Sequence, residues 1–365
     1  MAYRLQLNLL ISPQFNFTYM TFFNPKYISL YISAATAMTS CVTDTSDLTP
    51  EVSESRMVFD VSSLTRGQVT TADNIKGNSF AVYGDMKYSY NTDDPESASE
   101  ITEIILQASE VKYYSDTSGW KSTTQRYWRP NAEHSFVAVH PYLAVHTVNA
   151  NYLNNTLSFS YTLPNDYTDI PDLMVATHRR MYKFQKESPA SAVKFKFFHI
   201  MSRINFVVKC EVEKIKITKI ELEGLNKTGT FTITPASLTS GSEQTDDYIH
   251  TWSDIANIGT HTANIDVDIV KDEVTPLFPD RNAMFLIPQP ENNEVILNIS
   301  YIQYDKDKEL GERTLTSQTT IGGWQQGKIY SYSFTVNEED KNINMSVSVK
   351  DWESGSDNNV DVPRK

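Results

Sequence analysis

Short runs in which every second residue is apolar recur along this chain, and they confine it to β-sheet architecture. Leu157-Ser-Phe-Ser-Tyr161, Val193-Lys-Phe-Lys-Phe197 and Tyr330-Ser-Tyr-Ser-Phe334 alternate cleanly, sending one set of side chains to a core and the other to water. Met57-Val-Phe-Asp-Val61, Phe80-Ala-Val-Tyr83, Val111-Lys-Tyr-Tyr114, Phe136-Val-Ala-Val139, Ile204-Asn-Phe-Val-Val208, Ile215-Lys-Ile-Thr218, Gly229-Thr-Phe-Thr-Ile233, Ala263-Asn-Ile-Asp-Val267, Ala283-Met-Phe-Leu-Ile287 and Val295-Ile-Leu-Asn-Ile299 are β-branched or aromatic and bounded by turn formers. Asp305-Lys-Asp-Lys308 marks an exposed hairpin tip between two of them. One stretch departs from the pattern. Ile101, Ile104, Ile105 and Ala108 follow i, i+3, i+4, i+7 spacing, which predicts a helix over residues 97–108.

Repetition on this scale predicts an all-β fold of sandwiches. A chain of 365 residues exceeds a single sandwich of roughly 100, so two tandem domains are expected, 56–187 and 188–365. Their boundary falls at the polar stretch Lys186-Glu-Ser-Pro-Ala190. With 20 Tyr, 17 Phe and 5 Trp, there is enough bulk to fill both cores.

The net charge of −13 repels phosphate backbones and anionic headgroups, which argues against nucleic acid as a partner. The two cysteines, Cys41 and Cys210, are too few and too far apart for a thiolate metal pair or a disulfide framework. Cys210 is expected as a free thiol buried in a strand.

The other cysteine has a distinctive neighbourhood. Lys26 precedes the apolar run 27–40, which is too short to span a bilayer of about 30 Å as a helix but has the proportions of a cleaved signal peptide. Met38-Thr-Ser-Cys41 looks like a lipobox, and Cys41 would then carry the lipid that holds the mature protein to a membrane. Residues 1–40 read as the signal peptide, with Met20 as an alternative start, and the polar residues 41–55 read as a tether. The competing reading is an apolar strand that ends in an unmodified cysteine.

Catalytic and metal signatures are absent from the sequence. It contains neither Gly-x-Ser-x-Gly nor two histidines four apart around a glutamate, so no catalytic residue, cofactor or metal ligand is assigned. His140 and His146 share a strand face only if the strand continues past Pro141. Gly322-Gly-Trp-Gln-Gln-Gly-Lys328 imitates the opening of a phosphate-binding loop, but Ile329 replaces the metal-binding hydroxyl and a strand pattern follows instead of a helix. A turn feeding a strand is the expectation there. The calcium reading of Asp305–Lys308 fails for want of the glycine and closing glutamate that an EF-hand loop needs. Trp120, Tyr127 and Trp128 would serve either as a stacking platform for a host glycan or as core.

Several separated motifs, in order, resemble the fimbrillins, the type V pilus subunits and surface lipoproteins of Bacteroidales-type bacteria. They are Trp120, Tyr127-Trp128-x-Pro130, Phe136-Val-Ala-Val-His-Pro141, Asp172-Leu-Met-Val-Ala176, Phe197-Phe-His-Ile-Met-Ser-Arg-Ile204, Trp324-x-x-Gly327-x-x-Tyr330-x-Tyr332-x-Phe334 and Val347-x-Val349-x-x-Trp352. The resemblance implies two transthyretin-like, Greek-key sandwiches, lipoprotein export to the outer membrane and cell surface, and assembly into a fimbrium that serves adhesion. It further implies that an arginine- or lysine-specific protease cuts between Arg66 and Gly67, although Arg56 also offers a site. The strand lost would be 57–64, with Met57, Val58, Phe59 and Val61 as its apolar residues, and another pilus subunit would fill the groove. Ile343, Met345, Val347 and Val349 alternate and are read either as that donor strand or as an ordinary final strand. A surface lipoprotein that binds a host protein or glycan without polymerising is the alternative.

Overall fold

The computed structural model describes residues 56–64, 75–90, 99–142, 150–182, 192–237, 243–244, 248–279, 283–317, 320–337, 342–343 and 345–352. In chain order the strands are β1 (Phe59–Leu64), β2 (Phe80–Tyr90), β3 (Ser99–Ser115), β4 (Gly119–Ser122), β5 (Ala132–His140), β6 (Asn151–Leu153) and β7 (Thr156–Thr162). They continue with β8 (Met174–Tyr182), β9 (Val193–His199), β10 (Ser202–Cys210), β11 (Lys214–Pro235), β12 (Glu243–Gln244), β13 (Tyr248–Val270) and β14 (Val274–Pro276). The last are β15 (Met284–Leu286), β16 (Ile296–Asp305), β17 (Lys308–Ser317), β18 (Lys328–Val336), β19 (Asn342–Ile343) and β20 (Met345–Asp351). The all-β expectation is met.

Three sheets share these strands. The first runs β1-β9-β8-β5-β2-β3-β4, the second β14-β10-β18-β20, and the third β19-β17-β16-β11-β7-β6, with β13 along the other side of β11. The boundary expected at 187/188 does not separate them. β9 lies beyond it yet pairs with β1 and β8 in the first sheet, while β6 and β7 lie before it and join β11 in the third.

Alternation along the first sheet divides its side chains between two cores. Phe80, Val82, Phe136, Ala138, Phe195 and Phe197 belong to one cluster, together with Met57, Phe59, Trp120 and Trp128. Ala81, Tyr83, Val137, Val139 and Val175 point the other way, into a larger cluster built mainly by the second and third sheets. The smaller core is lined from both ends of the first sheet, since Phe80 meets Trp120 at 5.1 Å and Phe195 at 5.8 Å between ring centroids. The sheet therefore curls until β1 lies beside the segment after β4.

Of the helix expected at 97–108, residues 97 and 98 lie outside the described residues, and 99–108 are part of strand β3. Its pairing with β2 shifts register twice near Gly84, and Ala108 adopts a positive φ of 48°, so the strand is bulged there. A bulge adds one residue and turns a period of two into a locally helical-looking spacing. Ile105 and Leu106, adjacent in sequence, are both buried, whereas Ile104 is exposed. The runs at 215–218 and 229–233 are likewise parts of one strand, β11, whose register against β13 shifts three times.

Other local readings stand. Cys210 is a buried free thiol at the end of β10, its Sγ donating to the Val212 carbonyl at 3.3 Å. Residues 305–308 form the β16–β17 hairpin tip. Gly322, Gly323 and Gly327 have φ of 153°, 64° and 66° and lead into β18, a turn feeding a strand. β5 ends at His140, so the strand does not continue past Pro141, and His146 lies outside the described residues.

Candidate functional site

The edge position of β1 makes it the element to examine for function. β1 runs parallel to β9, with Phe59 opposite Val193 and Val61 opposite Phe195, then slips by one residue before Leu64 meets Phe197. The Val193 N–H donates to the Val58 carbonyl at 2.7 Å. Period two then decides which side chains enter the core. Met57 and Phe59 are buried and Val61 is half-buried, while Val58 is 46 % exposed and Asp60 faces water, its Oδ1 accepting from the Val61 N–H at 2.8 Å. Of the four apolar residues expected in this strand, Val58 does not fill the groove.

The Phe59 ring lies parallel to Phe195 at 6.0 Å and edge-on to Phe136 at 5.9 Å. Beneath it the floor is aromatic. Phe136 is flanked by His134 at 6.5 Å and His178 at 6.3 Å, and burial pushes both imidazoles down to about 4. The nearby Arg180 charge is a smaller contributor to that lowering, and its guanidinium packs over Trp128 at 5.3 Å.

The outer edge of β1 is thinly held. The Met57 N–H donates to the Arg126 carbonyl at 2.9 Å and Arg56 forms an isolated bridge with Tyr127; no other backbone pairing to that edge occurs among the described residues. Arg126 is itself fixed by Nε donating to the Ile105 carbonyl at 2.6 Å. A cleft of about 140 Å³ follows this seam, between Met57–Phe59 and residues including Trp120 and Thr124. Arg126 and the two buried histidines were not singled out in the sequence. His134 shares the alternating inward row of Phe136 and Ala138, which was the available signal.

The C-terminal strand is also at an edge. Among the described residues β20 pairs only with β18, and Val347 and Val349 are 55 % and 52 % exposed, with Met345 half-buried. Ile343 is separate: it is 1 % exposed and sits in β19, parallel to β17. The run from Ile343 to Val349 is thus two strands instead of one, and the candidate donor set is divided between them. Cys41, Arg66 and Gly67 lie outside the described residues. Trp120 and Trp128 are core, at 6 % and 4 % exposure, and only Tyr127, at 44 %, reaches the surface.

Comparison with known proteins follows the same lines. The chain is 23 % identical over 342 residues to fimbrium subunit Fim1C of Phocaeicola vulgatus, covering 82 % of this chain and 89 % of that one. A crystal structure of a fimbrial protein from Bacteroides vulgatus shares the fold with a TM-score of 0.53 at 18 % identity, over 81 % of this chain and 99 % of that one. Residues 65–352, from just after β1 to Trp352, match the fimbrillin-like family, and the chain belongs to that family.

Proposed function

We propose that this chain is a fimbrial subunit that serves adhesion at the cell surface, exported as a lipoprotein on Cys41, and polymerised by strand exchange after cleavage between Arg66 and Gly67. The partners are further pilus subunits and an arginine- or lysine-specific protease, with the lipid holding the precursor to the outer membrane until the cut. The observation that carries this reading is the seating of β1: an edge strand, two to three side chains deep in an aromatic groove, with Arg66 two residues past its end. Cutting there leaves β1 held only by non-covalent contacts, and its departure uncovers the β9 edge and the Phe136–Phe195 pocket.

A donor must offer backbone groups and apolar side chains at every second position. Met345, Val347 and Val349 have the same i, i+2, i+4 spacing as Met57, Phe59 and Val61, and they stand on an edge strand. β20 of a second copy is therefore the occupant. The glycan-platform reading loses two of its three rings to the core and keeps no specific support.

Digestion of the purified full chain with a trypsin-like protease tests this. Wild type is expected to yield Gly67 as the new N-terminus and a denaturant-resistant ladder; Arg66→Ala is expected to stay monomeric, and Arg56→Ala to behave as wild type. Complete cleavage after Arg66 that leaves only monomer would sink the proposal.

A further inference from the structure

β20 is gripped at its ends and loose along its length. Its residues pair with β18 from Met345 opposite Phe334 to Asp351 opposite Lys328, yet none of them is buried. Between Met345, which packs against the larger core, and Asp351, which is ion-paired with Lys328, the apolar side chains Val347 and Val349 are more than half exposed and add little to backbone hydrogen bonds that exchange with water at small net benefit. The residue that follows is different. Trp352 is 1 % exposed, its indole face to face with the His199 imidazole at 3.9 Å and 6° between planes, and stacked with Phe285 at 5.4 Å. Its backbone N–H donates to the Gly327 carbonyl at 2.9 Å. His199 is oriented in turn by Asp172, with Nδ1 and Oδ1 2.8 Å apart. At the other end, Ile343 is 1 % exposed, and β19 pairs parallel with β17.

We infer that Trp352 is a latch: its stacking on His199 and Phe285 keeps β20 on β18, and its withdrawal frees residues 345–351 as one arm based at Ile343. Trp352 is then a positioning residue for assembly, setting how readily the arm is offered to a second copy with an emptied β1 groove. This assembly role rests on the strand-exchange reading above; the latch itself does not. The physical basis is the contrast along the chain, because the Trp352 indole is buried against two rings whereas no side chain of the strand before it is buried.

Amide hydrogen exchange on the uncut full chain separates the two claims. In Trp352→Ala, exchange across 345–351 is expected to rise at least tenfold while β10 and β16 remain as in wild type, and Trp352→Phe is expected to recover most of the protection. Unchanged exchange at 345–351, or an equal loss through β10 and β16, would overturn the latch. After cleavage at Arg66, Trp352→Ala is expected to form ladders faster than wild type. Equal rates from a demonstrably released arm would overturn its role in assembly, and a wild type that makes no ladder would overturn strand exchange while leaving the exchange result to decide the latch.

Discussion

Phe59→Ala is expected to lower the stability of the intact chain by about 3–5 kcal/mol, the range for truncating a buried phenylalanine. The ring is 3 % exposed and engages Phe136 and Phe195, so the variant loses its transfer energy, two aromatic contacts and the filling of a groove whose walls belong to different strands. Val58→Ala, one residue away on the outward face, is expected to change stability by less than about 0.5 kcal/mol. Urea denaturation of the uncleaved protein measures both. The strand-exchange reading adds a sharper outcome. Once β1 has been cut away and replaced, residue 59 is no longer part of the fold, so assembled Phe59→Ala and wild type should unfold alike. A persistent difference in the assembled form would mean that β1 has stayed in place.

Acidification from pH 7 to pH 5 is expected to cost several kcal/mol of stability. His134, His140, His178 and His261 are between 0 and 4 % exposed, and burial, the largest cause in each case, pushes each down to about 4. The sign follows from linkage. In the unfolded chain these imidazoles take protons below about pH 6.5, in the folded chain only near 4, so their contribution is complete above 6.5 and lost as pH falls toward 4. At pH 5 the loss is on the order of 2 kcal/mol per histidine. Asp172 beside His140 and Asp166 near His261 oppose the downward shifts, whereas Arg180, His199 and Lys227 reinforce them. Asp85 works against the trend. Burial raises its carboxyl to about 6, against the Asn155 backbone N–H and the Arg179 charge, so protonating it on the way to pH 5 returns about 1 kcal/mol. Asp85→Asn should therefore steepen the acid loss. Unfolding curves at pH 7, 6 and 5 check this, and a flat profile would contradict it. Because His134 and His178 flank Phe136, acid weakens the seat of β1 as well as the body of the fold.

How much of this was legible in the sequence depended on distance along the chain. β7, β9 and β18 were readable because their partners and water impose strict alternation and nothing interrupts it. β3 was misread because a bulge near Ala108 breaks the period, and a bulge is set by the partner strand, not by the bulged residues. The division of strands between sheets was illegible for a related reason. β1 and β9 are separated by more than a hundred residues, and no local pattern says that Phe59 will stack on Phe195. Apolar residues at 57, 59 and 61 announced a strand; which of 58 or 59 faced inward needed the groove itself. Trp352 belonged to a recognisable motif, but its grip on His199 appears only when β9 and the end of β20 are brought together.

The parallel alignment of β1 with β9 bears on how a fibre would be lost as well as made. Parallel ladders are slightly weaker per residue than antiparallel ones. A replacement strand entering antiparallel to β9 would form the stronger ladder, while the cleaved segment, kept in the membrane by the lipid on Cys41, would no longer be tethered to the subunit it left. Growth would then behave as a ratchet, and dilution alone should not return the fibre to monomers.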